Sequence, residues 1–328
     1  MIAFTRWFSA LLVVALLPAP APAQTPAGRD VGAGATVTGI GAEQEAAGPR
    51  VAVVARGVQP GEVVRVDVTC RCGTTLPRVS FRGSDIPLFP VSSEGTAMWQ
   101  GLVGLDLDTA PGVYPLAVHD VEQYGLPPTV DLHVVAKAFA TRRLRVAPAF
   151  VDPPAAEVER LLREAKVLEA LFASVTPRLW DGPFVAPVAT RATSNFGTRS
   201  VFNGQPRSPH GGVDFSGSVG TPVVAPGAGR IVLAEDLFFT GNTLVIDHGF
   251  GLVSLLAHLS AMTVAQGDLV ARGTVVGRVG ATGRVTGPHL HWTIRLNGAR
   301  VDPLSLLFAT QADGTEGPPI AGQARPVR

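Results

Sequence analysis

Five of the seven histidines fall between positions 210 and 291, and four of them sit at spacings that suit metal chemistry. His210 and Asp214 frame two glycines and a valine. Paired glycines argue against a helix, and in an extended segment positions i and i+4 share a face because the side-chain period is two. His289 and His291 flank Leu290 and share a strand face with Thr293 and Arg295. The opposite face reads Leu290, Trp292, Ile294 and Leu296, an apolar set suited to a core. A soluble protein has little structural reason to line a strand that way. Zinc explains it: imidazole nitrogen and carboxylate oxygen are good zinc ligands, and a catalytic site uses three of them and leaves a position open to water. His210, Asp214 and His291 supply the three. His289, and His258 from Ala257-His258-Leu259, are left near the metal but unbound, placed for general acid/base work or transition-state donation.

Each element alone is weak, and the ordered set in a β context is strong. The remaining histidines read differently. His248, between Asp247 and Gly249, reads as turn structure. His119 and His133 stand singly in strand-like surroundings and read as structural or exposed.

The elements that must position these groups are mostly strands. Asn297-Gly298 after Leu290–Leu296 predicts a type I′ hairpin turn. Gly241-Asn242, between Glu235–Phe239 and Leu244–Asp247, predicts another hairpin. Further upstream, Val64, Val66, Val68, Cys70 and Cys72 alternate with Arg65, Asp67, Thr69 and Arg71, the pattern of a half-buried strand. Similar runs near Val79–Phe81, Met98–Val103, Val113–Val118 and Val130–Val135, punctuated by Gly and Pro, predict an Ig-like antiparallel sandwich. Cys70 and Cys72, the only cysteines, are read either as a strained bridge or as two buried thiols. Asp152 as N-cap and Pro153 in the first turn start a helix that Pro177 ends. Its stripe of Val158, Leu161, Leu162, Ala165, Leu168, Leu171 and Phe172 predicts a docking face.

The expected organisation is a signal peptide at 1–23, a flexible leader at 24–48, and a β-sandwich domain at 49–148. A connecting helix at 152–176, a second β domain at 180–309 and a disordered tail at 310–328 follow. The leader reading rests on Arg6, an apolar run from Trp7 to Leu17 and the small-residue site Ala21-Pro22-Ala23. That run is about eleven residues, short of the ~20 a membrane span needs. Twenty-seven basic against 26 acidic residues, a net charge of +1, argue against nucleic acid held by bulk charge.

Residues about 186–303 resemble the M23 (lysostaphin/LytM-type) zinc metallopeptidases. The matching stretches are Ser194-Asn-Phe-Gly-Thr-Arg199, Ser208-Pro-His-Gly-Gly-Val-Asp-Phe215, Gly220-Thr-Pro-Val-Val-Ala-Pro226, Ala257-His-Leu259, Gly267-Asp268, and Gly283 through Gly287-Pro-His-Leu-His-Trp292. The resemblance implies a C-terminal antiparallel lysostaphin-like peptidase domain in a mainly β chain. It places the zinc ligands on His210, Asp214 and His291 and the catalytic pair on His258 and His289, with peptidoglycan cross-links or stems as substrate. Asn195, Arg199, Arg284 and Thr286 are candidates to line the groove, with turn and loop structure as the competing reading. The first β region is similar to the N-terminal domain of secreted Gram-negative members, which implies a periplasmic or secreted protein with no transmembrane span after cleavage. Whether a regulatory protein takes part is not legible. The family often carries Tyr two residues before the middle histidine, where this chain has Leu256. Some relatives have lost zinc ligands and serve as non-catalytic activators of other wall hydrolases; this chain keeps every ligand.

Overall fold

The structure is a computed structural model that describes residues 49–70, 77–91, 97–119, 125–145 and 154–311. The expected signal peptide and leader, Cys72, the expected helix start at Asp152-Pro153 and the positions beyond 311 lie outside the described residues.

The first half forms β1 (Arg50–Val54), β2 (Val63–Cys70), β3 (Arg78–Phe81), β4 (Ser84–Ile86), β5 (Phe89–Val91), β6 (Ala97–Gly104), β7 (Gly112–His119) and β8 (Thr129–Val134). They make two four-stranded antiparallel sheets, ordered β1-β2-β6-β5 and β4-β3-β7-β8. Val64, Val66, Val68 and Cys70 of β2 pack with Val79, Leu116, Val118 and Leu132 in one buried cluster, as strand alternation dictates. Cys70 is disulfide-bonded, which decides between bridge and free thiol.

β2 departs from the half-buried expectation, because all eight of its residues are buried. Its polar face is covered by the end of the chain. Arg65 pairs with Asp67 and donates to the carbonyl of Gln311 at 3.1 Å. The Val63 amide donates to Ser305 Oγ at 2.7 Å.

A short strand, β9 (Thr141–Leu144), then leads to α1 (Ala155–Ala173). The helix stops three residues short of the expected 176. Ser174 is already extended, and the β-branched pair Val175-Thr176 precedes Pro177, which disfavours helical backbone before it. The apolar stripe docks only at its C-terminal end. Leu168, Leu171 and Phe172 cover Leu233, Leu237, Val245 and Val253, whereas Val158 is 42% and Leu162 64% exposed. Polar contacts hold the N-terminal half: Arg160 donates to the Asp236 carbonyl at 2.8 Å, and the Glu164 carboxylate accepts the Phe238 N–H at 3.0 Å.

The second half forms β10 (Ala192–Ser194), β11 (Arg199–Phe202), β12 (Gln205–Arg207), β13 (Gly212–Ser216), β14 (Pro222–Val224), β15 (Gly229–Leu237) and β16 (Gly241–Gly249). β17 (Leu252–Met262), β18 (Leu269–Val270), β19 (Val275–Val279), β20 (His289–Leu296), β21 (Ala299–Val301) and α2 (Pro303–Ala309) complete it. The main sheet runs β10-β13-β20-β17-β16-β15-β18, with β14, β19 and β21 joined at its margins. The Asn297-Gly298 turn joins β20 to β21 as expected, with φ of 49° and 79°. Gly241-Asn242 does not form the other hairpin turn. Residues 238–240 do, and Gly241 already pairs with Leu237. Gly241 has φ 60° and lies so close to Thr282 and Gly283 that a Cβ would meet Thr282 Oγ1 at 2.3 Å. Close approach, rather than turn geometry, requires glycine there.

The two halves share a core. Val63, Phe89 and Leu102 belong to one buried cluster with Trp180, Leu252, Leu296 and Leu306. Phe89 meets Trp180 edge-on at 5.0 Å, and the Arg178 guanidinium lies over both rings. Arg300 bridges Asp106 and Asp108. The chain between β8 and α1 also crosses over: β9 pairs in parallel with β11, giving a small sheet ordered β12-β11-β9 beside the His210 loop.

Candidate metal centre

β13 and β20 run antiparallel with Asp214 opposite His291 and Ser216 opposite His289. On the other side of β20, Ala257 of β17 stands opposite His291, so His258 follows directly at the strand's bulge. Cross-strand neighbours on one face lie within side-chain reach, and this register alone brings four of the five groups together. The core face of β20 is filled as expected, with Leu290, Trp292 and Ile294 fully buried.

Three donor atoms converge. His210 Nε2 lies 3.0 Å from Asp214 Oδ1 and 3.0 Å from His291 Nδ1, and His291 Nδ1 lies 2.8 Å from Asp214 Oδ1. A tetrahedron with metal–ligand bonds of ~2.0–2.1 Å has edges of about 3.3 Å, so the triangle is close to a zinc face. The outer nitrogens say which atoms carry lone pairs. His210 Nδ1 faces the Asn195 carbonyl at 3.1 Å. A carbonyl offers no proton, so Nδ1 donates and Nε2 is left as an acceptor. His291 Nε2 meets the Thr293 hydroxyl at 2.8 Å, which leaves Nδ1 turned inward. When both outer nitrogens carry the N–H, three acceptors face one another at hydrogen-bond distance. That arrangement needs a proton or a cation between them. The residues therefore fit a divalent ion, and among the described residues no other His, Cys, Asp or Glu joins the set.

Without an ion, protons on the inward nitrogens meet that need: burial alone would raise the Asp214 carboxyl, but the hydrogen bonds His210 and His291 then donate outweigh it and hold the group well below the usual carboxylate range. Burial pushes His291 down, against the bond to Asp214. These side chains are between 11% and 15% exposed, which leaves the centre open on one side.

Two further imidazoles flank the triangle. The His258 ring lies 4.8 Å from that of His289 and 6.0 Å from that of His291. His258 Nδ1 donates to the Thr282 carbonyl at 2.9 Å and His289 Nδ1 to the Gly287 carbonyl at 2.8 Å, so each Nε2 is an acceptor. His289 Nε2 is 3.8 Å from Asp214 Oδ1, outside the triangle. Burial, reinforced by nearby His291, lowers His258 to about 4, which keeps it neutral at pH 7. Its backbone is strained, with φ 65° at a non-glycine residue. The strain is held by the His258 amide donating to Thr240 at 2.8 Å and by Gly280, where a Cβ would lie 2.3 Å from Ser260 N. Thr240 belongs to the connection that Glu164 of α1 braces, so the helix supports the site from behind.

The remaining sequence candidates are scattered. Asn195 is exposed and contributes its carbonyl to His210. Arg199 is exposed on β11, and Thr286 is exposed in the loop before β20. Arg284 lies over Phe239 at 4.3 Å, in the loop whose Thr282 carbonyl holds His258. Leu256 is fully buried in the core, paired across to Leu244 and Trp292, and so does not face the groove. His248 is a strand residue rather than a turn: it is fully buried in β16, bonded to the Ala228 carbonyl and Ser254 Oγ, both at 2.8 Å. The polar alternation of β20 pointed at Thr293, but its role as the partner of His291 was not drawn from it. The carbonyls of Asn195, Thr282 and Gly287 leave no side-chain signal.

The sequence pattern described as Peptidase family M23 matches residues 208–303. The DD-carboxypeptidase/endopeptidase Mpg of Neisseria meningitidis serogroup B is 43% identical over 123 residues, covering 38% of this chain and 28% of Mpg. The peptidoglycan DD-endopeptidase ShyA of Vibrio cholerae is 40% identical over 115 residues, covering 35% of this chain and 27% of ShyA. The chain thus spans under a third of the length of these relatives. A crystal structure from Pseudomonas aeruginosa assigned to peptidase M23 is 34% identical, with a TM-score of 0.59, and covers 78% of this chain and 97% of its own.

Proposed function

The chain belongs to peptidase family M23, and from that premise we propose that it is a zinc-dependent endopeptidase hydrolysing peptide bonds in peptidoglycan cross-links or stems. The observation that carries the reading is the triangle of His210 Nε2, Asp214 Oδ1 and His291 Nδ1, with sides of 2.8–3.0 Å and the His258 and His289 imidazoles beside it. In this reading those three residues hold the ion. Zinc in such a set polarises the scissile carbonyl and lowers the pKa of a water to about 7.

The chain's own residues do the rest. The Asn195 carbonyl fixes the tautomer of His210, and the Thr293 hydroxyl accepts the outer N–H of His291, so that the inward nitrogens can present their lone pairs. His258 Nε2 and His289 Nε2 accept the proton of the attacking water, stabilise the developing oxyanion as imidazolium donors, and return the proton to the leaving amine as the C–N bond breaks. Asn195, Arg199, Arg284 and Thr286 are the proposed groove residues. A non-catalytic activator would have no use for this donor set.

The reading includes action outside the cytoplasmic membrane, in the periplasm or after secretion. The Cys70 disulfide supports an oxidising compartment. No helix among the described residues is long and apolar enough to cross a membrane.

Digestion of purified sacculi, with product analysis, tests the proposal. Cross-linked fragments should shorten with zinc-loaded protein, persist after chelation, and shorten again when zinc is returned. His291→Ala should abolish both zinc binding and lysis, whereas His289→Ala should retain zinc and lose most turnover. Hydrolysis that survives chelation, or normal turnover by His289→Ala, contradicts it.

A further inference from the structure

The small sheet of β12, β11 and β9 carries a concentration of positive charge that the hydrolytic reading does not use. Its register sets Ser200 opposite Arg207 on one side and Arg142 on the other, and Phe202 opposite Gln205. Strand alternation therefore puts Arg142, Ser200, Phe202, Gln205 and Arg207 on one face. Arg142 Nε donates to Ser200 Oγ at 2.9 Å, and Arg207 Nη2 donates to Gln205 Oε1 at 2.7 Å. Arg207 Nε is buried and has no hydrogen-bond partner among the described residues. From the facing loop, the Arg284 guanidinium approaches the Phe202 ring at 5.9 Å. Burial, and then the charge of nearby Arg207, lower the pKa of Arg284, so the loop brings a second half-buried cation to the face that carries Phe202 and Arg207.

The chain as a whole carries a net charge of +1, so this pairing is local. Its position is specific. Arg207 precedes His210 by three residues, and Arg284 follows by two residues the Thr282 whose carbonyl holds His258. Like charges brought close are unfavourable, and an anion held between them relieves the repulsion. A carboxylate matches the planar guanidinium fork and accepts two donors at once.

We propose that Arg207 and Arg284, backed by Arg142, form an anion subsite at the rim of the groove that binds a free carboxylate of the substrate peptide. The inference rests on the endopeptidase reading for the identity of the ligand, and adds that the substrate must be acidic. The carboxylate could stand at a peptide terminus or on a side chain, and the two are separable.

The probe is one synthetic cross-linked stem peptide in three forms: free carboxylates, terminal carboxylate amidated, and side-chain carboxylate amidated. Equilibrium binding to metal-free protein is read beside kcat/KM of the zinc-loaded protein. The carboxylate form should bind about ten- to a hundredfold more tightly than one of the amides, the range for hydrogen bonds to a charged group. The amide that loses affinity identifies the source. Arg207→Gln and, independently, Arg284→Gln should collapse that preference towards one, with the loss in KM rather than kcat. Arg207→Lys should keep part of it. Arg143→Gln, on the opposite face of the same small sheet, should keep all of it. Equal binding of all three forms by the wild-type protein, or an unaltered preference in both glutamine variants, overturns the subsite. If the preference is present but no form is hydrolysed, the subsite stands and the endopeptidase reading fails.

Discussion

Replacing Thr293 with valine removes one oxygen and leaves the shape of the side chain almost unchanged. Thr293 is buried in β20, and its Oγ1 is 2.8 Å from His291 Nε2. In the tautomer that leaves Nδ1 free for a metal, 2.8 Å from Asp214 Oδ1, the hydroxyl accepts the Nε2–H. With a methyl in place of the hydroxyl, the Nε2–H faces an apolar group. The metal-ready tautomer then loses its acceptor, and its penalty is added to the cost of binding a metal. Leaving a buried donor unsatisfied costs about 1–3 kcal/mol, and a lost partner of a metal-bound histidine lowers affinity about 10–100-fold. The two ranges agree, since a factor of ten is about 1.4 kcal/mol. Competition against a chromophoric chelator should show zinc affinity reduced by about one to two decades in Thr293→Val. Thr293→Ser, which restores the hydroxyl, should stay within a few-fold of the wild type. Unchanged affinity in Thr293→Val, or an equal loss in Thr293→Ser, would refute the assignment of the hydroxyl as the orienting partner.

Three other perturbations reach different parts of the molecule. Gly280→Ala would set a Cβ 2.7 Å from the His258 carbonyl and 2.3 Å from Ser260 N, forcing the bulge of β17 open. Zinc binding, which depends on β13 and β20, should persist while kcat/KM falls by about tenfold or more, since misplacement by ~1 Å can cost about a hundredfold; equal losses of both would argue for general unfolding instead. Burial lowers His248 from the ordinary 6.5 to about 4, so between those values the unfolded chain binds the extra proton and stability falls as pH falls. At about 1.4 kcal/mol per pH unit, urea melts should show the advantage of the wild type over His248→Phe shrinking by roughly 3 kcal/mol from pH 7 to pH 4, and a constant difference would refute it. Ser305→Ala leaves the Val63 amide without its acceptor at the junction of the two halves. Denaturant melts should show a loss of about 1–3 kcal/mol, and a neutral variant would mean that the junction contributes little through this bond.

How much of this was legible beforehand follows from the range of each signal. The two faces of β20 and the Asn297-Gly298 turn are local patterns, and the structure has both. The histidines that gather were also visible as a group, because ligand types at strand spacing are a local statement about one face. Tertiary cover was not visible. β2 alternates as a half-buried strand does, and nothing within it announces that α2 will cover the polar face. The stripe on α1 shows which side is apolar but not how far the partner surface extends, so Val158 and Leu162 stay exposed. Gly241-Asn242 carries a turn signal, yet contact with Thr282 is what demands the glycine. The parallel pairing of β9 with β11 joins segments 58 residues apart, and no local pattern announces that Arg284 will approach Phe202 on that sheet.

The proposed grip of His210, Asp214 and His291 on one divalent ion is most directly tested by zinc K-edge absorption on stoichiometrically loaded protein, alongside titration of the three single alanine variants. The expected result is one zinc per chain, with two imidazole nitrogens, one carboxylate oxygen and an exchangeable light ligand, and loss of tight binding in each variant. A fourth protein ligand in the shell, or an His291→Ala variant that binds zinc as the wild type does, would contradict it.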